Sequence, residues 1–218
     1  MNLFPMICEN YNEMSKNFYS QYKEAVNYLQ SLNGTSWDYF AHTNEENEKY
    51  NSARSLRYHS AIAAIVFQAL AVEAFINLYG AQRIGEEKYY TEYEKRGSTT
   101  EDKIKKICRD YLKSDYPTND KAYSRLISLM QKRDAIVHTK PHPVIIDGTP
   151  VSYDAFMSQT EFVFKNLDDE ILSYDDLKSN LMKTEKKETD IIQELTGMTQ
   201  SAIQQQITAM YSKGLCGE

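Results

Sequence analysis

Apolar residues recur along this chain at three- and four-residue steps, the spacing of one helix face. From 9 to 32, Phe18, Tyr22, Ala25, Val26 and Leu29 keep that rhythm. Leu32–Asn33–Gly34 stops it, with Gly34 free to take a positive φ. Residues 34–50 are polar and read as a connection, with a loop around His42–Asn47. A second helix is expected from Asn51 or Ser52 to Leu78 or Tyr79, with Gly80 as its stop. Past Tyr58 it is nearly all apolar, which predicts a helix packed on most sides.

Residues 86–113 are polar and rich in tyrosine, and Gly97–Ser98 breaks the stretch. Thr99 or Thr100 can cap the helix that follows, with Glu101 and Asp102 in its first turn. Ile104, Ile107, Cys108, Tyr111 and Leu112 lie on one side of that helix. Asn119 or Asp120 caps the next one, which carries Leu126, Ile127, Leu129, Met130, Ile136 and Val137 and ends before Pro141 and Pro143. Val144–Ile146 reads as a short extended piece, and helical pattern returns from Ser152 or Tyr153 to Leu172. Residues 173–190 are charged and weakly patterned. A last amphipathic helix over about 189–212 can cover its own bundle or grip a partner.

The expected fold is therefore all-α, a helical bundle with additional N- and C-terminal helices. Residues 1–172 form the bundle, and 173–218 form a charged connection and an amphipathic helix. Low glycine and proline counts, 8 and 5 in 218 residues, agree with that class. The run from Ala61 to Leu78 nearly reaches a membrane-spanning length, but Gln68 and Glu73 interrupt it, so a central buried helix without a membrane is expected. The opening MNLFPMICENYNEM has no basic start and no long apolar run, which argues against a secretory signal. Cys8, Cys108 and Cys216 are far apart and match no metal-binding spacing, as expected of a reducing, cytoplasmic setting. His42 and His142 have no ligand-like partners in sequence, so no metal or cofactor is expected. With a formal charge of −6, any nucleic-acid binding must rest on a local basic patch.

Two strings carry chemistry. In LAVEAFINLYG, 70–80, Glu73 is a lone carboxylate in an apolar helix, with Asn77 one turn on and on the same face. A bare carboxylate there costs several kcal/mol unless it is paired or wetted. One reading is a structural ion pair with a neighbouring helix. The other is a brace for Arg133 or His138, both in LMQKRDAIVHTK, 129–140. Arg133 and His138 are about 140° apart on a helix, whereas Asp134 and His138 share a face. Asp134 can orient the imidazole or pair with a cation, and His138 can equally cap the helix end. RNA carries its own nucleophile, the ribose 2′-hydroxyl. Its cleavage needs a proton carrier near neutrality, which histidine supplies, and a planar cation for the phosphate, which arginine supplies. One histidine cannot easily act on both sides of a phosphorus, so the mechanism favours two copies across a two-fold axis. The same five-residue step occurs at Arg54 and His59, where it opens the buried helix.

RDAIVH, 133–138, with the preceding leucine-rich helix AYSRLISLMQK and the acidic helix LAVEAFINLYG, resembles the HEPN superfamily of helical-bundle proteins over about residues 50–172. The resemblance implies a metal-independent endoribonuclease of toxin–antitoxin or phage-defence type, a homodimer with its cleft at the interface. Arg133 would engage the scissile phosphate, His138 would assist proton transfer, Asp134 would be the family's polar residue, and Glu73 would support the site. It also implies RNA and an antitoxin or other protein as partners. The alternative is a non-catalytic HEPN-like module that binds protein or nucleic acid. Lys105, Lys106, Arg109 and Lys113, with Lys103, form a basic run that reads either as an RNA track beside Tyr111 and Tyr116 or as a solvated helix face. The seventeen tyrosines suit half-buried faces or a subunit interface.

Overall fold

A computed structural model describes residues 4–32, 41–93, 98–113, 115–116, 118–138 and 162–184. Among them the chain is all-α, a multi-helix bundle with no strand. The elements are α1 (Phe4–Ser31), α2 (Asn44–Ile84), α3 (Glu86–Glu92), α4 (Thr100–Ile107), α5 (Lys121–Val137), α6 (Leu167–Glu170) and α7 (Ser173–Thr184). α4 runs on into a π-helical turn, Cys108–Leu112, which Lys113 closes with φ 54°.

α2 is the axis of the fold and touches every other helix. α1 lies along it in the opposite direction: Tyr28 meets the Ser52–Leu56 end, the Ser15 hydroxyl donates to the Ala64 carbonyl at 2.7 Å, and Phe18 stacks on Phe67. Ile65, Ala69, Val72, Phe75, Ile76 and Tyr79 are fully buried, so the apolar run is a core strip. α2 is long and apolar enough to cross a membrane, yet more than half of its most apolar window is buried inside the bundle. Gln68, the polar interruption, is buried because its amide donates to the Ile171 carbonyl at 2.8 Å beyond the end of α6.

Four elements differ from expectation. The loop placed at 42–47 is helix from Asn44. Thr43 caps it, and Thr43 and Glu46 exchange side-chain and backbone bonds in a capping box. Gly80 does not stop α2, which continues to Ile84, with Gly85 at φ 97° as the cap. Gly80 is needed instead for packing, because a Cβ there would lie 2.2 Å from Cε2 of Tyr89 on α3. The helix expected through to Leu172 breaks at Asn166, with φ 59°, between a helical stretch at 162–164 and α6. The charged connection after 172 is α7, whose Tyr174, Leu177 and Leu181 are buried against the bundle. The expectations for Gly34, Val144–Ile146 and the helix at 189–212 lie outside the described residues.

α5 is fastened to α6 and α7 by charge. Arg125 reaches Asp176 at 2.6 Å and Asp169 at 3.0 Å. One turn and more along, Lys132 is buried and pairs with Glu170 at 2.7 Å, with 3% and 1% of their side chains exposed. Ser128 donates to the other Glu170 oxygen, and the Lys132 ammonium also meets the Val163 and Lys165 carbonyls. Lys132 thus ties the end of the 162–164 helical stretch to α5.

Candidate functional site

The α2 carboxylate and the α5 arginine meet. An Nη2 proton of Arg133 is donated to Oε1 of Glu73, sixty residues away, and Nη1 reaches Oδ1 of Asp134 at 3.1 Å. The Thr100 hydroxyl donates to the same Glu73 oxygen at 3.3 Å. Thr100 is in place because Thr99 caps α4 through a capping box with Asp102, which fixes where α4 begins beside α2. The Arg133 side chain is 20% exposed, Glu73 30% and Asp134 59%, so the pair is half-open to water. Asn77, one turn after Glu73, accepts at Oδ1 from the Tyr89 hydroxyl at 2.9 Å and the Lys103 ammonium at 3.1 Å.

His138 is the C-cap of α5 and is exposed. Its backbone N–H donates to the Asp134 carbonyl at 2.9 Å. The Asp134 carboxylate therefore turns to Arg133, while its carbonyl holds the backbone of the histidine. Among the described residues the imidazole makes no hydrogen bond. Val137, beside it, is 55% exposed, more than any other large apolar residue described. The structure thus joins Glu73, Asp134 and Arg133 into one cluster, leaves the exposed His138 outside it at the end of α5, and sets Asn77 on the neighbouring turn of α2.

The competing Arg54 and His59 stand about 21 Å or more down α2 from Glu73. Arg54 lies over the Tyr50 ring at 5.7 Å, and His59 sits beside Tyr58. The basic run is interleaved with acceptors. Lys105 pairs with Glu101 at 2.5 Å, Lys106 donates to the Glu92 carbonyl and lies 4.2 Å from the Tyr93 ring centre, Arg109 meets Asp110 at 3.1 Å, and Lys113 meets the Asp110 carbonyl. Two of these four cations thus face carboxylates, which weakens the positive field along the run.

Among the described residues, no group of three His, Cys, Asp or Glu side chains is placed to hold a metal ion. Burial raises the thiols of Cys8 and Cys108, that of Cys108 to about 12, so neither is poised as a nucleophile. Sequence reasoning named Thr100 only as a candidate cap, not as a partner of Glu73, and passed over the Lys132–Glu170 pair. Thr100 carries a signal, since a second threonine beside a capping threonine has a free hydroxyl to offer. Comparison of the chain with protein-family models, curated proteins and solved structures finds no match. The likeness to HEPN proteins accordingly stands on the residues of the two strings alone.

Proposed function

We propose that the protein is a metal-independent endoribonuclease that works as a homodimer, with Arg133 holding the scissile phosphate and His138 moving protons. The observation that supports this reading is the brace on Arg133. Glu73 of α2, itself held by the Thr100 hydroxyl of α4, fixes the guanidinium, five residues before an exposed imidazole at the end of the same helix. Asp134, the more exposed of the two carboxylates on Arg133, is the one a phosphate would displace. The ribose 2′-hydroxyl would attack, one His138 would take its proton, and the His138 of a second copy would protonate the leaving oxygen. The exposed Val137 beside His138 offers apolar surface for such a second copy. A non-catalytic binding module is the second reading, favoured by the fact that both Nη groups of Arg133 already meet carboxylates of its own chain.

The test is incubation of the full chain with mixed RNA in EDTA. Products ending in a 2′,3′-cyclic phosphate are expected, and His138→Ala should slow their release by about a hundredfold or more, the usual worth of a general acid–base group. Arg133→Ala should also lose activity, while Arg54→Ala should keep it. Intact RNA across salt and pH would hand the protein to the binding-module reading, and cleavage indifferent to His138 would overturn the role given to that residue.

A further inference from the structure

Between α1 and α3 one strip of α2 is left uncovered by the described residues. The face that steps from Leu70 through Ala74 to Ala81 floors a cavity of about 400 Å³, walled by Tyr11 of α1 and Tyr90 of α3. That is the size range of small-ligand pockets, which combine apolar walls with a few placed polar groups. The Gly80–Tyr89 contact sets the α3 wall at its distance from α2.

The polar groups at this cavity are unbalanced. Glu73 and Glu86 line it, and among the described residues no lysine, arginine or histidine does. Both donors to Glu73, Arg133 and Thr100, converge on Oε1, so among the described residues Oε2 receives none. The Asn77 carbonyl is already filled by Tyr89 and Lys103. Acceptor capacity thus stands beside apolar and aromatic wall, in the second oxygen of Glu73, a side chain 30% exposed, and in the exposed Glu86 carboxylate. A ligand that brings a cationic donor to such a carboxylate while covering the apolar wall gains on both counts.

We propose that this cavity binds a small amphipathic organic cation, a primary ammonium or guanidinium on an apolar body. The cation pairs with Glu73 at Oε2, and the apolar body lies along the Leu70–Ala81 strip. Because Glu73 also holds Arg133, ligand and guanidinium compete for one carboxylate, and an occupied cavity loosens the brace on Arg133. The inference needs no RNA chemistry, and it stands whether or not the chain cleaves RNA.

The experiment is calorimetric titration of the full chain with phenethylammonium, in parallel with phenethyl alcohol and phenylacetate and without RNA. Saturable one-to-one binding of the ammonium is expected, with the alcohol and the acid weaker by about tenfold or more, as for loss of a charge-assisted hydrogen bond. Glu73→Gln should weaken the ammonium by a similar factor. Arg133→Gln should tighten it, since the competing guanidinium is gone. Ala74→Leu fills the floor and should abolish binding while the circular dichroism spectrum is kept. Absence of saturable binding, equal affinity for the alcohol, or weakening by Arg133→Gln as large as by Glu73→Gln would each overturn the proposal.

Discussion

Lys132 and Arg133 are neighbours on α5, and each ends on a distant carboxylate, yet the two pairs live in different media. Lys132–Glu170 is sealed, with 3% and 1% of the side chains exposed, and its spare hydrogen-bonding capacity is taken by Ser128, Val163 and Lys165. Arg133–Glu73 is half-open, at 20% and 30%, and Glu73 lines a cavity with one oxygen that accepts no hydrogen bond among the described residues. Two residues 100° apart on a helix point to different sides, so one can be locked into the core while the next stands at its edge. A sealed pair cannot exchange partners without unfolding its surroundings. An open one can pass a carboxylate or a guanidinium to a ligand at small cost. The first therefore belongs to the architecture of the fold, and the second is where function is to be sought.

The largest expected effect comes from breaking the sealed pair on one side. Lys132→Met leaves the Glu170 carboxylate buried without its cation and should destabilise the fold by about 3–5 kcal/mol, read from urea denaturation. The double replacement Lys132→Met with Glu170→Leu should recover most of that loss, because an apolar pair of similar volume needs no desolvation of charge. If the double variant is as unstable as the single one, the pair contributes through geometry, by holding the 162–164 end, rather than through charge balance.

A pH series distinguishes the same site in another way. Burial holds the Glu170 carboxyl above its ordinary value of 4.5, against the opposing pull of Lys132 and Ser128. Between that ordinary value and the higher folded one, the folded chain keeps a proton that the unfolded chain has released. The contribution of Glu170 to stability therefore falls as pH rises through this window. Urea midpoints of the parent protein and of Glu170→Gln should diverge in that sense. A difference of opposite sign would mean that the ammonium outweighs desolvation and that the site is wetter than its exposure indicates.

How far the sequence foretold this contrast depends on the residue. The need of Glu73 for a partner was legible, because a carboxylate in an apolar helix must be answered, and Arg133 was among the named answers. The caps were narrowed to Thr99 or Thr100 and to Asn119 or Asp120 by residue type, and the structure takes Thr99 and Asp120. The Thr43-x-x-Glu46 box was present but hidden by the polarity of its surroundings, which read as loop. Gly80 misled because a helix stop and a close helix contact both select glycine, and only Tyr89, nine residues on, decides between them. In α7 the period of Tyr174, Leu177 and Leu181 was masked by Asp175, Asp176 and Lys178, which pair or face water. Lys132–Glu170 was not legible, since lysine on a helix is solvated far more often than buried and nothing local marks a partner 38 residues away.

The smallest effect in stability is expected at the open pair, and it is the one that tests the contrast most sharply. Glu73→Gln, Arg133→Gln and their double variant form a cycle whose coupling energy should be about 1 kcal/mol or less, since both groups remain partly hydrated. In about 1 M salt, where the screening length is about 3 Å, that coupling should shrink further, while the Lys132–Glu170 coupling should barely change. Weak and screenable coupling is what an exchangeable brace requires, because a phosphate on Arg133 or a cation on Glu73 must compete with it. A coupling of several kcal/mol, indifferent to salt, would place Arg133–Glu73 beside its neighbour as a fixed strut. Arg133 would then have no freedom to take up a phosphate, and the carboxylate would have none to share with the cavity.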